Sequence, residues 1–399
     1  MFQPTPPRDN FFSDLGLSPK LLTALNRLRL INPTPIQRQA IPRALAGKDI
    51  IGVAQTGTGK TLAFALPLIQ QIAAAKKQGL VILPTRELAM QVDEVFKKLG
   101  ASLNLRTALI IGGSSVGRQV MAINRRPHVL IGTPGRINDL LNTHALNLKK
   151  VGVLVLDEAD RMLDMGFAPQ IKRIMQHVPP KRQTLLFSAT MPAPIVKMAS
   201  VYMTNPVRIA IAQTGTVADH VDQELFLVQR EQKNNLLDKL LKDYTGTVLV
   251  FARTKYGAKK ICRAVRGRGH TVTEIHSNLS LSQRRRSLDG FKSGKFRVLV
   301  ATDIASRGID VTNIELVINY DLPDNPDDYV HRVGRTGRAG QGGRAISFMT
   351  SEQRGKVRLI ERLVRQSLRI SPLPQLPAVM PRIAYQPRSR NHQAVRVHR

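Results

Sequence analysis

The chain has 399 residues, 42% of them hydrophobic, enough for sizeable cores in two ordinary domains or one large one. Lys and Arg number 60 against 28 Asp and Glu, a formal net charge of +32, which favours a polyanionic partner and above all nucleic acid, whose condensed counterions are released on binding. The single cysteine, Cys262, excludes a disulfide framework or a cysteine-built metal site within one chain, and no run of residues approaches an uninterrupted membrane span.

From the N-terminus, MFQPTPPRDNFF lacks a basic stretch followed by an apolar core, so no targeting signal is expected and the cytoplasm is the expected compartment. Short apolar runs then alternate with longer stretches of helical periodicity, which predicts parallel sheets covered by helices. Strands are predicted at 49–53, 79–83, 128–131, 151–156 and 183–187. Around 207–221 the signals lapse into a polar stretch with Gly and Thr, read as a connector with the linker at 209–219. The pattern restarts with strands predicted at 247–251, 272–275, 297–301, 315–319 and 344–348. The expected plan is an N-terminal domain over 1–208, the linker, a C-terminal domain over 220–370, and a basic, disordered tail over 371–399 that contains no Asp or Glu.

Two strings carry chemistry. The first is AQTGTGKT: Ala54, Gln55, Thr56, Gly57, Thr58, Gly59, Lys60 and Thr61. Gly57 and Gly59 give the freedom to turn backbone N–H groups toward phosphate oxygens, Lys60 supplies a point charge for the β and γ phosphates, and the Thr61 hydroxyl suits Mg²⁺. The second, VLVLDEAD, is a hydrophobic strand that delivers Asp157 and Glu158 at its carboxyl end, where open α/β sheets place ligand chemistry. Asp157 is expected to hold Mg²⁺ through water and Glu158 to orient and deprotonate the attacking water. A nucleotide triphosphatase using ATP and Mg²⁺ is the expectation.

AxTGxGKT followed by DEAD resembles the DEAD-box RNA helicases of helicase superfamily 2, most like compact bacterial members. Further strings agree in the same order: Pro33-Thr34-Pro35-Ile36-Gln37, PTRELA at 84–89, Gly112-Gly113, TPGR at 133–136 and SAT at 188–190. The second half adds VFART at 250–254, Gln283-Arg284-Arg285-Arg286, ATDIASRGID at 301–310 and HRVGRTGR at 331–338. The resemblance covers residues from about 12 to 370 and implies two tandem RecA-like domains, each a mostly parallel sheet flanked by helices, with a cleft between them. Four positions depart from the family's usual pattern: Arg29-Leu30 stands where Gly and an aromatic are common, Ser277 where Gly follows the histidine, and Ser306 where many members carry Ala.

The resemblance assigns ATP selection to Gln37, whose amide carries both a donor and an acceptor, with Phe12 behind it and Leu30 in place of the stacking aromatic. It makes Arg335 and Arg338 fingers acting from the second domain, places Asp310 on the ribose, and has Ser188, Thr190, His331 and Arg332 couple the nucleotide and RNA sites. RNA contact is expected from Arg86, Glu87, Gly112, Gly113, Thr133, Arg136, Thr254, Gln283, Arg286 and Thr302. These groups suit phosphate and sugar, so sequence preference should be weak; no aromatic platform for bases is visible in the sequence. The implied activity is ATP-dependent, local unwinding of short RNA duplexes or remodelling of RNA–protein complexes, by a clamp that closes on ATP and single-stranded RNA and reopens on hydrolysis. Ribosomal or RNA-turnover proteins are the implied partners. An ATP-dependent DNA helicase or translocase and an RNA annealer with incidental ATP turnover remain as alternatives from the residues alone.

Overall fold

The structure, a computed structural model, describes residues 11–55, 57–75, 77–211, 221–303, 314–337 and 342–377. The N-terminal half forms seven strands: β1 (Ile50–Val53), β2 (Gln78–Ile82), β3 (Thr107–Ile110), β4 (Val129–Gly132), β5 (Val151–Leu156), β6 (Gln183–Ser188) and β7 (Val207–Ala210). They pair in the order β3-β4-β2-β5-β6-β1-β7 with parallel partners throughout.

A parallel sheet is covered on both faces, so its strands are apolar at nearly every position rather than at alternate ones. β5, sequence VGVLVL, is buried along its whole length. Its side chains divide by the two-residue strand period: Val153 and Val155 join one core with Val81, Ile131 and Phe187, while Leu154 and Leu156 join the opposite core with Ile82, Leu130 and Leu186. The first core is closed by Phe64 of helix Lys60–Ala75 and Phe96 of helix Arg86–Gly100. Helices Pro134–Asn142, Ala159–Asp164, Ala168–His177 and Ala193–Tyr202 close the second through Ile137, Met162, Ile171 and Ile195. Gly52 in β1 makes this packing feasible, because a Cβ there would lie 2.5 Å from the Phe187 ring.

The C-terminal half repeats the plan with β8 (Val221–Leu227), β9 (Val248–Phe251), β10 (Val272–Ile275), β11 (Val298–Ala301), β12 (Leu316–Asn319), β13 (Gly343–Met349) and β14 (Arg369–Ser371). Their order is β10-β11-β9-β12-β13-β8-β14, again all parallel. Two separate cores flank this sheet as well. The expected α/β architecture of two tandem sheets, each flanked by helices, is therefore the observed one.

The details differ at the edges. The expected connector begins with a strand, because Val207–Ala210 pairs with β1 and Ile209 is buried; residues 212–219 lie outside the described ones. The segment predicted as a tail starts docked: Ser371 pairs in β14 against β8, Leu376 packs on a core cluster, and the Asn235 side chain donates to the Pro377 carbonyl at 3.2 Å. Residues 378–399 lie outside the described ones.

Candidate functional site

Phe251 at the end of β9 and Asp303 after β11 line one gap with Arg161 of the first domain, and the nucleotide candidates gather at the end of β1 and β5. After β1 the chain turns through Gly57 and Gly59, at φ +88° and +89°, before helix Lys60–Ala75 begins. Such left-handed geometry suits glycine, and at Gly59 a Cβ would also meet Gln37 Nε2 at 2.3 Å. Gln37 is 2% exposed and stitches the loop from behind: Nε2 donates to the Gly59 carbonyl and Oε1 accepts from Thr34 N–H, both at 2.9 Å. Its amide is thus already engaged with the loop. Lys60, also buried, donates from Nζ to the Ala54 carbonyl at 2.8 Å, and the Thr58 hydroxyl donates to the Gln55 carbonyl at 2.7 Å. Thr61 is half-buried on the helix's first turn, Phe12 is buried and Leu30 partly buried against the same apolar cluster, and Thr56 lies outside the described residues.

Asp157 follows β5 and is anchored by its N–H, which donates to the Ile82 carbonyl at 3.1 Å. Its Oδ1 accepts from Glu158 N–H at 2.9 Å. Glu158 adopts φ 52°, ψ 50°, an uncommon conformation for a non-glycine residue, at the N-cap of helix Ala159–Asp164. The two acids are then driven apart electrically. Burial raises the Asp157 carboxyl to about 6, against an opposing pull from Lys60. Burial also pushes Glu158 upward, but Arg161, Lys60 and Arg335 together outweigh it and hold Glu158 below its ordinary value. Arg161, fully buried, bonds Glu158 Oε2 through Nη1 at 2.5 Å. The Thr61 hydroxyl and the Asp157 carboxylate are hard oxygen donors of the kind Mg²⁺ takes alongside substrate phosphates and water, and Asp157 is buried directly after β5. The residues fit Mg²⁺.

Asp160 ties this corner to the SAT segment. Its Oδ2 accepts from Ala189 N–H, Thr190 N–H and the Thr190 hydroxyl at 3.0, 2.9 and 3.0 Å, and its own N–H donates to Ser188 Oγ at 3.3 Å. Burial pushes its carboxyl up, yet these bonds and Lys60 leave it lowered. Of the coupling candidates, Ser188 and Thr190 are therefore brought into direct bonding with the DEAD segment.

The second domain closes on this corner. Arg335 is 4% exposed, and its charge is one of those that depress Glu158 across the cleft. Arg161, Asp303, His331, Arg332 and Arg335 line a gap of only about 10 Å³. Arg332 is held within its own domain: Nε and Nη2 bond the two Asp303 oxygens at 2.6 and 2.7 Å, Nη1 donates to the Asp321 carbonyl at 2.6 Å, and its plane covers the Phe251 ring. Arg338 and Asp310 lie outside the described residues.

The candidate RNA contacts form a second grouping. Arg86, first residue of its helix, lies over Gly112 and Gly113, where a Cβ on Gly113 would fall 2.4 Å from its guanidinium. Arg136 reaches the same strip by donating to the Ser114 carbonyl at 3.2 Å, and Thr133 stands at the N-cap position of the Arg136 helix with no side-chain capping bond. Glu87 points elsewhere: it is 6% exposed and pairs with Arg284 of the second domain at 2.9 Å. Thr254 caps helix Lys255–Gly267 by accepting from Gly257 N–H at 3.0 Å, and Gln283 Oε1 accepts from Ser280 N–H at 2.8 Å to cap helix Leu281–Lys292. Arg286 is exposed on that helix and Thr302 is half-buried after β11. Sequence reasoning missed Asp160, Arg161, Asp303 and Arg284. Asp160, Asp303 and Arg284 stand inside the motif strings quoted above without a role of their own there, and Arg161 stands three residues after Glu158, one helical turn away.

With this geometry in view, similarity to known proteins is informative. A family model described as DEAD/DEAH box helicase matches residues 34–199, and one described as helicase conserved C-terminal domain matches 232–340. The chain is 42% identical over 367 residues to the ATP-dependent rRNA helicase RRP3 of Debaryomyces hansenii, covering 91% of this chain and 77% of that protein. It is 43% identical over 360 residues to the DEAD-box ATP-dependent RNA helicase CshA of Bacillus licheniformis, covering 90% and 74%. The structure of S. cerevisiae Dbp5 bound to RNA and ADP BeF3 superposes with a TM-score of 0.83 at 31% identity, covering 91% of this chain and 96% of that one.

Proposed function

The chain belongs to the DEAD-box helicases, and from that premise we propose how its residues bind ATP and RNA across the cleft and couple hydrolysis to strand separation. It is an ATP-dependent RNA helicase that hydrolyses ATP to ADP and phosphate. The observation that carries the residue-level reading is that Arg335 of the second domain lines one gap with Arg161 of the first, the residue that bonds Glu158, an arrangement that completes a hydrolytic site only when the cleft is closed.

In this reading the phosphates of ATP lie on the backbone N–H groups around Gly57 and Gly59, and Lys60 exchanges the Ala54 carbonyl for phosphate oxygens. The adenine sits near Gln37, with Phe12 and Leu30 behind. Thr61 and, partly through water, Asp157 would hold Mg²⁺, which would offset charge on the β and γ phosphates. Glu158 is kept ionised by Arg161, Lys60 and Arg335, so its larger part is to orient the attacking water and receive its proton once phosphate charge has built up. Arg335 donates to the equatorial oxygens of the transferring phosphoryl group, where a planar guanidinium fork fits best.

RNA lies on the strip formed by Arg86, Gly112, Gly113, Thr133 and Arg136, and on the second domain at Thr254, Gln283, Arg286 and Thr302. Contacts of this type address phosphate and sugar, which supports weak sequence preference. Closure brings the two halves of this track together and bends the strand, so a few base pairs melt; hydrolysis removes the phosphate that holds Arg335 and lets the cleft reopen. No helix among the described residues is long and apolar enough to cross a membrane. We place the protein in the cytoplasm, working on ribosomal or RNA-turnover complexes.

Strand displacement tests the reading. Labelled RNA duplexes of increasing length, each with a single-stranded extension, should be separated with ATP at a yield that falls steeply with duplex length. Undiminished yield on long duplexes would mean processive tracking and would overturn the clamp mechanism.

A further inference from the structure

Tyr256 is the most exposed large hydrophobic side chain among the described residues, at 71% of its surface. A single exposed aromatic is ordinary, and its surroundings are what single it out. It stands two residues after Thr254 on helix Lys255–Gly267, whose inner face buries Ala258, Ile261, Cys262 and Val265. Lys259, Lys260 and Arg263 fall on the same outer face by the helical period, are exposed, and enter no ion pair or hydrogen bond among the described residues. The helix contains no acidic residue. One outward stripe therefore combines an aromatic ring with three uncommitted cations.

The ring is also held in place. Lys255 Nζ lies 5.2 Å from its centroid and donates to Asn278 Oδ1 at 3.0 Å, which ties the start of this helix to the segment leading into helix Leu281–Lys292. That second helix abuts the first domain through Arg284 and Glu87, so Tyr256 stands beside the cleft mouth at the carboxyl ends of β9 and β10.

We infer that single-stranded RNA leaving the cleft continues over this stripe, with one base stacked on Tyr256 and phosphates paired to Lys259, Lys260 and Arg263. The inference rests on the RNA track proposed above and extends it. A ring face accepts any base, and free cations facing a polyanion release counterions on contact, so this segment adds affinity without sequence choice. Charge alone would also suit an acidic protein segment; the outward ring favours RNA, whose bases offer a flat partner to stack upon.

Fluorescence anisotropy with a non-hydrolysable ATP analogue tests this, using oligouridines of about six nucleotides, confined to the cleft, and of about fourteen, extended at either the 5′ or the 3′ end. Tyr256→Ala should weaken the extended oligomer about 5- to 100-fold on one polarity and leave the short one within about twofold, with Tyr256→Phe restoring the difference. Replacing Lys259, Lys260 and Arg263 by Ala should reduce the salt-dependence slope for the extended oligomer by about 2. Equal losses at both lengths, no loss at all, or displacement of bound RNA by poly-glutamate that requires Tyr256 would overturn the inference, the last assigning the stripe to an acidic protein. Absence of binding by the short oligomer to the unaltered protein would instead remove the helicase track itself.

Discussion

Glu87 of the first domain and Arg284 of the second are paired at 2.9 Å across the cleft, with side chains 6% and 11% exposed. Burial lowers the Arg284 guanidinium while Glu87 draws it back up, as expected for two charges that depend on each other once withdrawn from water. Opening the cleft rehydrates both, so the pair favours closure only as far as its geometry offsets desolvation. Arg284→Ala leaves the Glu87 carboxylate without its partner in the closed state and should weaken the mutual enhancement of ATP and RNA binding more than either affinity alone. A double-mutant cycle with Glu87→Gln, read as RNA-stimulated turnover, should give a coupling of about 0.5–3 kcal/mol; additive losses would show that the pair does not act in closure.

Glu158→Gln removes the carboxylate that orients water while preserving shape, and should slow hydrolysis about 10²- to 10⁴-fold with RNA still held in the presence of ATP. Arg335→Ala should cost about 10³-fold or more in turnover, yet leave ATP affinity of the first domain nearly unchanged, because this group acts from the other side. Single-turnover kinetics separates the two. Loss of ATP binding in the Arg335 variant would place that side chain in ground-state recognition.

Asp160 accepts three bonds from Ala189 and Thr190, two of them from backbone. Thr190→Val removes only the hydroxyl bond and should reduce strand separation several-fold with less effect on ATP turnover, whereas Asp160→Ala leaves buried donors without an acceptor and should destabilise the fold by about 1–3 kcal/mol. Thermal melting alongside strand displacement distinguishes these outcomes.

Asp157 is raised to about 6 by burial, so in the metal-free protein it binds a proton below that pH and is ionised above it. A proton and Mg²⁺ compete for the same oxygens. The Mg²⁺ concentration for half-maximal turnover should be level above pH 6 and rise about tenfold per unit below it. An unchanged requirement at pH 5 would mean that Asp157 is not the ligand.

The alternation of apolar strands with helical stretches showed the fold because parallel central strands are buried on both faces and carry few polar residues. β5 was legible to the residue for that reason. Four outer strands, β3, β7, β8 and β14, were not: β7 is exposed at Arg208 and Ala210, β14 at Arg369 and Ile370, and β8 carries three successive polar residues, Asp222, Gln223 and Glu224, which read as a break in the signal. The phosphate loop and the DEAD acids were legible because each is one contiguous string. Pairs that exist only after folding were not, and Glu87 with Arg284, 197 positions apart, is the plainest case. The sequence contains Tyr256 with no sign that its ring faces outward.

Turnover of ATP measured with no nucleic acid, with single-stranded RNA and with DNA of the same sequence, against Glu158→Gln as the blank, bears most directly on the central claim. RNA alone should accelerate hydrolysis strongly, and the variant should abolish it. Equal acceleration by DNA, or none by RNA, would contradict an RNA-driven closure of this cleft.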